Sequence, residues 1–387
     1  MPADKSLEAR VLARLSALQA DALIRVMRPP FGVDLSSNDY LSLSSDPRLV
    51  AAFTAGAAAE GVGSTGSRLL RGERQIFDAV EAQFAAFKGT ERALLFSSGY
   101  LANLAVLTTL PEAGDVICSD SLNHASLIDA VRLSRATRVV FPHNDVAALT
   151  RLLADTPCQG TRFIVVESLF SMDGDRAPLA AYVELCHSTG AVLIVDEAHA
   201  VGVCGETGSG LIEAAGLAGE SLLSINPAGK ALGVGGAFVA GPAWAIEYLV
   251  QRARPFVFST AAPPATAYAL AESLRIIQAE PERRLRLHAL SRYLRTRLGD
   301  ARFAVEPGDS QIVPVLIGEN DAALAVASAL HVDGFDVRAI RPPTVPAGTA
   351  RLRVSLNSSL DETMLDRFVA VMTKAAREVG LCSTASS

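Results

Sequence analysis

Along the central part of the chain, short apolar runs alternate with segments in which apolar residues recur at helical spacing. The apolar runs, bounded by turn residues, predict strands, and the periodic segments predict helices. Near-continuous apolar strands separated by helices indicate a mostly parallel sheet that is covered on both faces. The predicted strands are 92–98, 116–120, 138–142, 162–168, 192–197, 222–226 and 236–241.

The two ends of the chain carry other patterns. Residues 6–28 predict a leading helix, and a polar connector follows it. After a long helical region that ends near residue 300, the remaining predicted elements are strands 312–318, 335–340 and 351–356 and a final helix 361–378. We therefore predict an α/β protein with three parts. These are an N-terminal helix and connector (1–45), a large α/β domain (46–264) and a small C-terminal α+β domain (265–387).

Charge and composition disfavour several classes of protein. A formal net charge of −6 argues against broad nucleic-acid binding, which needs a positive surface. The most apolar long window, 93–110, contains serine, glycine and asparagine, so no membrane span is expected. The first residues do not resemble a secretory signal, and the scattered cysteines form no CxxC pair. We expect a cytoplasmic protein with reduced thiols.

Two short motifs suggest nucleotide chemistry but lack its context. GVGSTG (61–66) fits GxGxxG, yet the residues before it favour a helix, whereas a dinucleotide fingerprint follows a strand. DEAH (196–199) resembles a helicase motif, but Gly229–Lys230 is the only GK pair in the chain, and Ala231 follows it. Without a phosphate-binding loop, the helicase interpretation is disfavoured. The six histidines show no paired metal-ligand spacing, so no metal site is predicted.

The chain has only four lysines, and they differ in their surroundings. Lys230 lies among alanine, glycine and valine, where loss of solvation would lower its pKa and free the amine as a nucleophile or base. For Lys5, Lys88 and Lys374 we expect solvated, structural roles, and Lys88 ends a helix, where its charge complements the helix dipole.

A desolvated lysine, an Asp at a strand end and an anion site match the needs of pyridoxal phosphate (PLP). Lys230 could form a Schiff base with the aldehyde, and Asp196 could pair with the pyridinium nitrogen. The SSGY segment (97–100) at the head of a predicted helix could bind the phosphate. His124 could stack on the ring and His199 could contact its hydroxyl. Taken singly, His124 could equally cap a helix or sit in the core, and His199 could be a turn residue.

Seven segments resemble, in order, the α-oxoamine synthase family of fold-type I PLP enzymes, over nearly the whole chain. They are SNDYLSLS, LFSSGYLANLAV, DSLNHASLIDA, ESLFSMDGDRAPL, VDEAHAVGVCGETGSG, GKALGVGGAFVAG and FSTAAPP. The resemblance implies a PLP-dependent transferase of fold type I that condenses an amino acid with an acyl thioester and releases CO2. RPPTVPAGTARLRVSL (341–356) resembles the C-terminal signature of one member, which uses L-alanine and a pimeloyl thioester of CoA or of an acyl carrier protein.

The resemblance also implies roles for individual residues. Four of them are expected to be catalytic: Lys230, His124, Asp196 and His199. Further PLP contacts are expected from Ser171, Ser98, Gly99 and Tyr100. Thr260 would reach the phosphate of a neighbouring subunit, which makes the enzyme a homodimer with shared active sites. The substrate site is expected to contain Asn38, Arg25, Thr344 and Arg353, with Arg353 holding the amino-acid carboxylate.

Several alternatives remain open. Family members carry a phosphate-contacting Thr three residues before the lysine, where this chain has Pro227, and Asn226 is the expected substitute. A sister synthase would use glycine or serine with another acyl-CoA, and a non-catalytic relative would act as a binding or regulatory protein. The arginines around 291–297 could dock an acidic carrier protein, although a solvated helix face is the more ordinary explanation.

Overall fold

A computed structural model describes residues 6–220 and 223–380 of the 387-residue chain. Lys5 and Leu222, the first residue of the predicted strand 222–226, lie outside the described residues. The helices are α1 Leu7–Ala20, α2 Pro47–Glu60, α3 Gln75–Lys88, α4 Gly99–Thr109, α5 Ala125–Leu133, α6 Val146–Asp155, α7 Leu179–Thr189, α8 Leu211–Ala214, α9 Ala243–Arg252, α10 Arg254–Val257, α11 Pro264–Ala279, α12 Glu282–Asp300, α13 Asn320–Val332 and α14 Glu362–Glu378.

The strands form one large and two small sheets. They are β1 Val33–Asp34, β2 Arg92–Phe96, β3 Val116–Asp120, β4 Thr137–Phe141, β5 Arg162–Glu167, β6 Val192–Asp196, β7 Leu223–Pro227, β8 Ala237–Gly241, β9 Ile312–Gly318, β10 Phe335–Asp336, β11 Ala339–Ile340 and β12 Ala350–Ser355. The large sheet has the order β2-β8-β7-β6-β5-β3-β4. Only β8 runs antiparallel to its neighbours there, so the predicted mostly parallel sheet is confirmed.

The apolar runs form this sheet because both of its faces are covered. The central strands β5 and β6 are buried along almost their whole length. On one face, strand residues such as Ile117, Ile194 and Val239 share a core cluster with Val106 of α4 and Leu127 of α5. A parallel sheet with buried faces leaves its strand ends as the place for polar chemistry.

The chain divides into two compact units, and their limits differ from the predicted domains. The large unit comprises Asn38–Ser171 and Asp175–Arg286, and the small unit comprises the described residues of Met1–Ser37, Met172–Gly174 and Leu287–Ser387. Helix α11 belongs to the large unit because it packs against α2 and α3. The N-terminal strand β1 belongs to the small unit because it pairs in parallel with β10.

The leading helix is shorter than the predicted span of residues 6–28. Helix α1 ends at Ala20, and Ala22 adopts a left-handed conformation with φ of 54°. The backbone N–H of Leu23 donates to the carbonyl of Leu18 over 2.7 Å, which closes the helix in the manner of a Schellman motif. No described helix is long and apolar enough to cross a membrane.

Candidate functional site

The carboxyl ends of the parallel strands gather the predicted site residues of the large unit. β5 ends at Glu167 and β6 ends at Asp196, and these two residues are direct neighbours across the sheet. Lys230 lies three residues after the end of β7, in the connection between the antiparallel strands β7 and β8. That connection closes on itself, because the N–H of Gly233 donates to the carbonyl of Lys230 over 2.8 Å.

Lys230 is the first member of a chain of polar side chains. Its Nζ lies 2.9 Å from Nε2 of His199. Nδ1 of the same imidazole lies 2.6 Å from the hydroxyl of Tyr40, which donates to Oδ1 of Asn38 over 2.9 Å. Because the Tyr40 proton points to Asn38, its oxygen can accept from Nδ1–H, which leaves Nε2 of His199 as the acceptor facing Lys230. The structure thus brings Asn38, His199 and Lys230 together through Tyr40, a residue that the sequence analysis did not assign.

A second network orients the buried carboxylate of Asp196. Its Oδ2 accepts from Nδ2 of Asn103 over 2.7 Å, and its Oδ1 accepts from the N–H of Ala198 over 2.9 Å. The same amide nitrogen of Asn103 also reaches Oγ of Ser126 at 2.9 Å. The sequence analysis did not assign Asn103, because it lies within the apolar stretch LANLAV. A polar residue one turn into helix α4 is the feature that could have indicated its role.

His124 both caps a helix and joins this network. Nδ1 of His124 accepts from the N–H of Ser126 at the start of α5 and lies 2.7 Å from the hydroxyl of the same serine. Burial lowers the pKa of His124, and the positive charge of Lys230 adds to this effect while Asp196 opposes it. The ring is therefore held neutral. The helix-capping alternative is correct, and it coexists with a place beside Asp196.

The predicted phosphate segment lies at the start of α4. Ser98 is the N-cap residue, and its hydroxyl accepts from the N–H of Leu101. The first N–H groups of a helix have no intrahelical partner, so those of Gly99 and Tyr100 suit an anion. Pro227 packs against this helix start, because a Cβ added at Gly99 would lie 2.6 Å from the Pro227 Cγ. Glycine is thus the residue that fits beside this proline.

Asn226 does not replace the missing threonine. Its side chain is fully buried, and its Nδ2 donates to Oγ of Ser224 over 3.0 Å. The atom that lacks a partner is the carbonyl oxygen Oδ1, an acceptor, which cannot bind a phosphate oxygen. The expected substitution by Asn226 is therefore wrong.

Two other predicted PLP contacts differ in their exposure. Ser171 is buried and follows β5 by a short loop. Thr260 is exposed and lines a cleft together with Ser97, next to the GVGSTG segment, where the N–H of Ala261 donates to the carbonyl of Gly66. That segment follows the end of α2, as expected for a motif that is not a dinucleotide fingerprint. The role of Thr260 stays a prediction, since it concerns a neighbouring subunit.

A half-buried histidine braces two loops at this edge of the sheet. Nδ1 of His143 lies 3.0 Å from Oδ1 of Asp120, and its Nε2 lies 2.7 Å from Oδ2 of Asp175. Although burial lowers the pKa of His143, the hydrogen bonds to these two carboxylates raise it to about 10. Asp120 also accepts from the N–H of Leu122 in the turn that leads to His124. A protonated His143 therefore ties that turn to the loop after β5.

The other predicted substrate residues lie in the small unit. Nη2 of Arg25 donates to Oγ1 of Thr344 over 3.3 Å, and both line a cavity of about 750 Å³. Arg28, Arg338 and Arg341 line the same cavity together with Asp336, which pairs with Arg338, so its wall is net basic. Arg353 is buried on β12 and donates to Oγ of Ser355 over 2.6 Å.

Lys88 is buried, and the expectation of a solvated lysine is wrong. Its Nζ donates to Oε2 of Glu197 and to the carbonyl of Ser209, and the two side chains of the ion pair are 3% and 0% exposed. The other carboxylate oxygen, Oε1, accepts from the N–H groups of Leu211 and Ile212 at the start of α8. Lys88 thus anchors the loop that follows Asp196 and contains His199.

The arginines around 291–297 do not form a free docking surface. Arg295 is buried, and its Nη2 donates to the carbonyl of Ile312 over 3.0 Å. Arg297 pairs with Asp366 over 2.6 Å, so much of the charge serves the fold of the small unit. Arg292 is exposed, as expected for an ordinary solvated helix face.

The described residues of the large unit include the types of group that PLP requires. The aldehyde of PLP requires an amine, and Lys230 offers one that faces an imidazole acceptor. The pyridinium requires a carboxylate, and that of Asp196 is buried and oriented by an amide. The aromatic ring can stack on the neutral ring of His124, and the phosphate can bind at the helix start that contains Gly99. Among the described residues, no group of His, Cys, Asp and Glu could hold a metal ion.

Comparisons with known proteins agree with this chemistry. The family model of aminotransferase class I and II matches residues 32–372. The 8-amino-7-oxononanoate synthase of Burkholderia cenocepacia (strain HI2424) is 46% identical over 373 residues, which cover 95% of this chain and 91% of that protein.

Two solved structures superpose on nearly the whole chain. A structure of SPT (serine palmitoyltransferase) with PLP has a TM-score of 0.92 at 30% identity and covers 98% of this chain and 100% of that one. The crystal structure of 8-amino-7-oxononanoate synthase from Francisella tularensis has a TM-score of 0.78 at 30% identity and covers 90% of this chain and 99% of that one. The predicted fold class, a PLP-dependent transferase of fold type I with a smaller C-terminal part, is confirmed.

Proposed function

Because the chain belongs to the 8-amino-7-oxononanoate synthase family, within aminotransferase class I and II, we propose that it joins L-alanine to a pimeloyl thioester with loss of CO2. The product is 8-amino-7-oxononanoate, in biotin biosynthesis, and the thiol carrier is released. The chain is a PLP-dependent acyltransferase, as the resemblance predicted. The observation that carries the proposal is the pairing of Lys230 with His199 beside the oriented Asp196.

Within this site, Lys230 is assigned two tasks. Its Nζ would hold the coenzyme by its aldehyde carbon, and the free amine would take the Cα proton of the amino acid and return a proton to the product. When bound, PLP supplies the electron sink that makes this Cα proton removable. Nε2 of His199, fixed by Tyr40, accepts a hydrogen bond from Nζ and thereby aims the amine.

Asp196 and His124 serve the ring of the coenzyme. The Asp196 carboxylate would pair with the ring nitrogen and favour its protonated form, and Asn103 and the N–H of Ala198 keep the carboxylate in position. His124 is neutral, so its ring can stack on the coenzyme without adding a second positive charge. Ser171 would contact the ring oxygen, and Ser98, Gly99 and Tyr100 would bind the phosphate through the helix start.

The substrates are assigned to three sets of residues. Arg353 would present a planar guanidinium to the carboxylate of alanine, and Asn38 would contact substrate from the large unit. Arg25 and Thr344, with the basic wall of their cavity, bind an anionic part of the acyl substrate, either its free carboxylate or a phosphate of the carrier. CoA and an acyl carrier protein both bring such phosphates.

We further propose a homodimer in which Thr260 contacts the phosphate bound by the neighbouring subunit. Large apolar side chains in the large unit support it, because Val62, Leu70 and Phe258 are 85%, 84% and 72% exposed. Exposed apolar side chains indicate a surface that a partner covers where they form one contiguous patch. Phe258 and Thr260 are two residues apart, so the exposed apolar side chain and the predicted phosphate contact share one loop.

The test compares substrates and variants directly. CO2 release and kcat/KM are measured for alanine, glycine and serine against pimeloyl, acetyl, succinyl and palmitoyl thioesters, with pimeloyl offered on CoA and on the carrier protein. Alanine with a pimeloyl thioester should give the highest kcat/KM. A preference for serine or glycine with another acyl group would replace the proposal by a sister synthase.

Borohydride labelling tests the lysine separately. Reduction should fix a pyridoxyl group to the peptide that contains Lys230, and Lys230→Ala should lose it. Labelling at Lys88 or Lys374 would refute the assignment of Lys230. No turnover with any amino acid, despite bound PLP, would favour the non-catalytic alternative.

A further inference from the structure

Glu167 carries a second buried carboxyl group in the site, and none of the proposed catalytic or coenzyme-binding roles involves it. It is the last residue of β5 and is 1% exposed. Residues paired in register on neighbouring parallel strands point to the same side of the sheet, so the side chains of Glu167 and Asp196 lie side by side. The sequence contained the signal, since both acids end a buried apolar strand.

The contacts of Glu167 join two loops that carry site residues. The backbone N–H groups of His124 and Ser171 lower the pKa of its carboxyl group by hydrogen bonding. Its own backbone N–H donates to Oδ1 of Asn123 over 3.1 Å, one residue before His124. One side chain therefore fixes the main chain at both His124 and Ser171.

The two oxygens of this carboxyl group are not equivalent. Among the described residues, Oε1 is buried and has no hydrogen-bond partner. An ionised carboxylate with one bare, buried oxygen would be costly, whereas a carboxylic acid can place its proton on that oxygen. Asp196 differs, because each of its oxygens accepts a hydrogen bond.

The charged groups around Glu167 favour the same assignment. Asp196 faces it from β6, Lys230 faces it from the connection between β7 and β8, and His124 faces it from the start of α5. Burial and the negative charge of Asp196 raise the pKa of Glu167, Lys230 and the two N–H groups lower it, and the net result is a pKa of about 8. His124 is neutral and supplies no compensating charge.

We propose that Glu167 is a positioning residue that rests in the site as a neutral carboxylic acid. It holds the main chain of His124 and Ser171 at the strand ends, and its neutrality leaves Asp196 as the one anion of this carboxyl pair. The part of the proposal that concerns PLP rests on the proposed function, but the protonation and the contacts are properties of the chain alone.

Infrared spectroscopy of the coenzyme-free protein tests the protonation. The wild-type protein should show a carboxylic-acid C=O band at neutral pH that disappears as the pH rises through about 8. Glu167→Gln should remove this band. The matched control is the double variant Lys88→Met/Glu197→Gln, in which Glu197, one residue beyond the end of β6, is removed together with the lysine that pairs with it, and the band should persist. A Glu167→Gln spectrum that retains the band would overturn the proposal.

A second measurement covers the case in which Glu167→Gln does not fold. Carbon-13 labelling of all glutamates in the wild-type protein should shift the band, and the shifted band should titrate near pH 8. A band that does not shift, or no titration in this range, would exclude a protonated glutamate. Neither readout depends on turnover, so a wrong acyl substrate would not affect it.

The positioning role is tested by comparing two replacements. Glu167→Gln keeps an acceptor for the N–H groups of His124 and Ser171, and Glu167→Met does not. Loss of these two hydrogen bonds should raise the PLP dissociation constant at least tenfold in Glu167→Met relative to Glu167→Gln, and should move the backbone amide resonance of His124. Equal PLP affinity and unmoved resonances in the two variants would overturn this role.

Discussion

Replacing Lys88 by Met tests whether the buried ion pair behind the site stabilises the fold. Methionine keeps the apolar stem but removes the amine, so Glu197 would hold an unpaired negative charge with its side chain 0% exposed. The carbonyl of Ser209 would lose a donor at the same time.

The expected loss of stability is large. Removing one partner of a buried pair costs about 3–5 kcal/mol, because the remaining charge stays desolvated. Native proteins are commonly stable by about 5–15 kcal/mol, so Lys88→Met removes a large part of the total. The matched control is Lys374→Met on α14, where the lysine is exposed and the change should stay within about 0.5 kcal/mol.

A double variant separates charge from shape. In Lys88→Met/Glu197→Gln, the amide carries no charge and its oxygen still accepts from Leu211 and Ile212, so most of the lost stability should return. Thermal unfolding followed by circular dichroism, with and without PLP, measures all of these proteins. The reasoning is refuted if Lys88→Met unfolds at the temperature of Lys374→Met, or if the double variant is no more stable than Lys88→Met.

Four further expectations follow from the described contacts. The stabilisation from protonated His143 is complete below its ordinary pKa of 6.5 and is lost as the pH rises through about 10. His143→Gln should therefore flatten the alkaline part of a plot of melting temperature against pH. An unchanged plot would show that the contacts of His143 with Asp120 and Asp175 do not stabilise the fold. Tyr40→Phe should lower kcat about two- to tenfold, the value of one neutral hydrogen bond, and unchanged kcat would show that His199 needs no second partner. Pro227→Thr should tighten PLP binding about tenfold by adding a hydroxyl beside the helix start, and unchanged affinity in an equilibrium titration would mean that the phosphate is already satisfied. Arg295→Glu should lower the melting temperature. Arg292→Glu should change KM equally for carrier-linked and CoA-linked pimeloyl groups. A rise in KM for the carrier-linked group alone would show that this helix face binds the carrier protein.

The sequence predicted the sheet well because its strands are buried on both faces. Runs such as RFIVVE and VLIVD need no partner to be recognised, and each observed strand of the large sheet lies within two residues of its predicted bounds. The limits of α1 and of the two units were not predictable in the same way. They depend on a left-handed Ala22 and on the packing of α11 against α2 and α3.

The site was predictable where a residue type alone indicates its chemistry. Lys230, Asp196 and His199 are of this kind. Lys88 was misjudged because its partner Glu197 is 109 residues away in sequence, and helix-end statistics do not reveal such a partner. Tyr40, Asn103 and Glu167 act through contacts with other site residues, so their positions in the sequence, even at a strand end or early in a helix, do not by themselves assign these roles.

The connection that carries Lys230 separates the fixing of the main chain from the aiming of the amine. Its backbone bonds join residues fewer than ten positions apart: Ala228 to Gly236, Val234 to Ala228 and Gly233 to Lys230. The Nζ atom, in contrast, takes its direction from His199, 31 residues away in sequence. A substitution at Tyr40 or His199 can therefore misdirect the amine while the main chain that presents it stays in place.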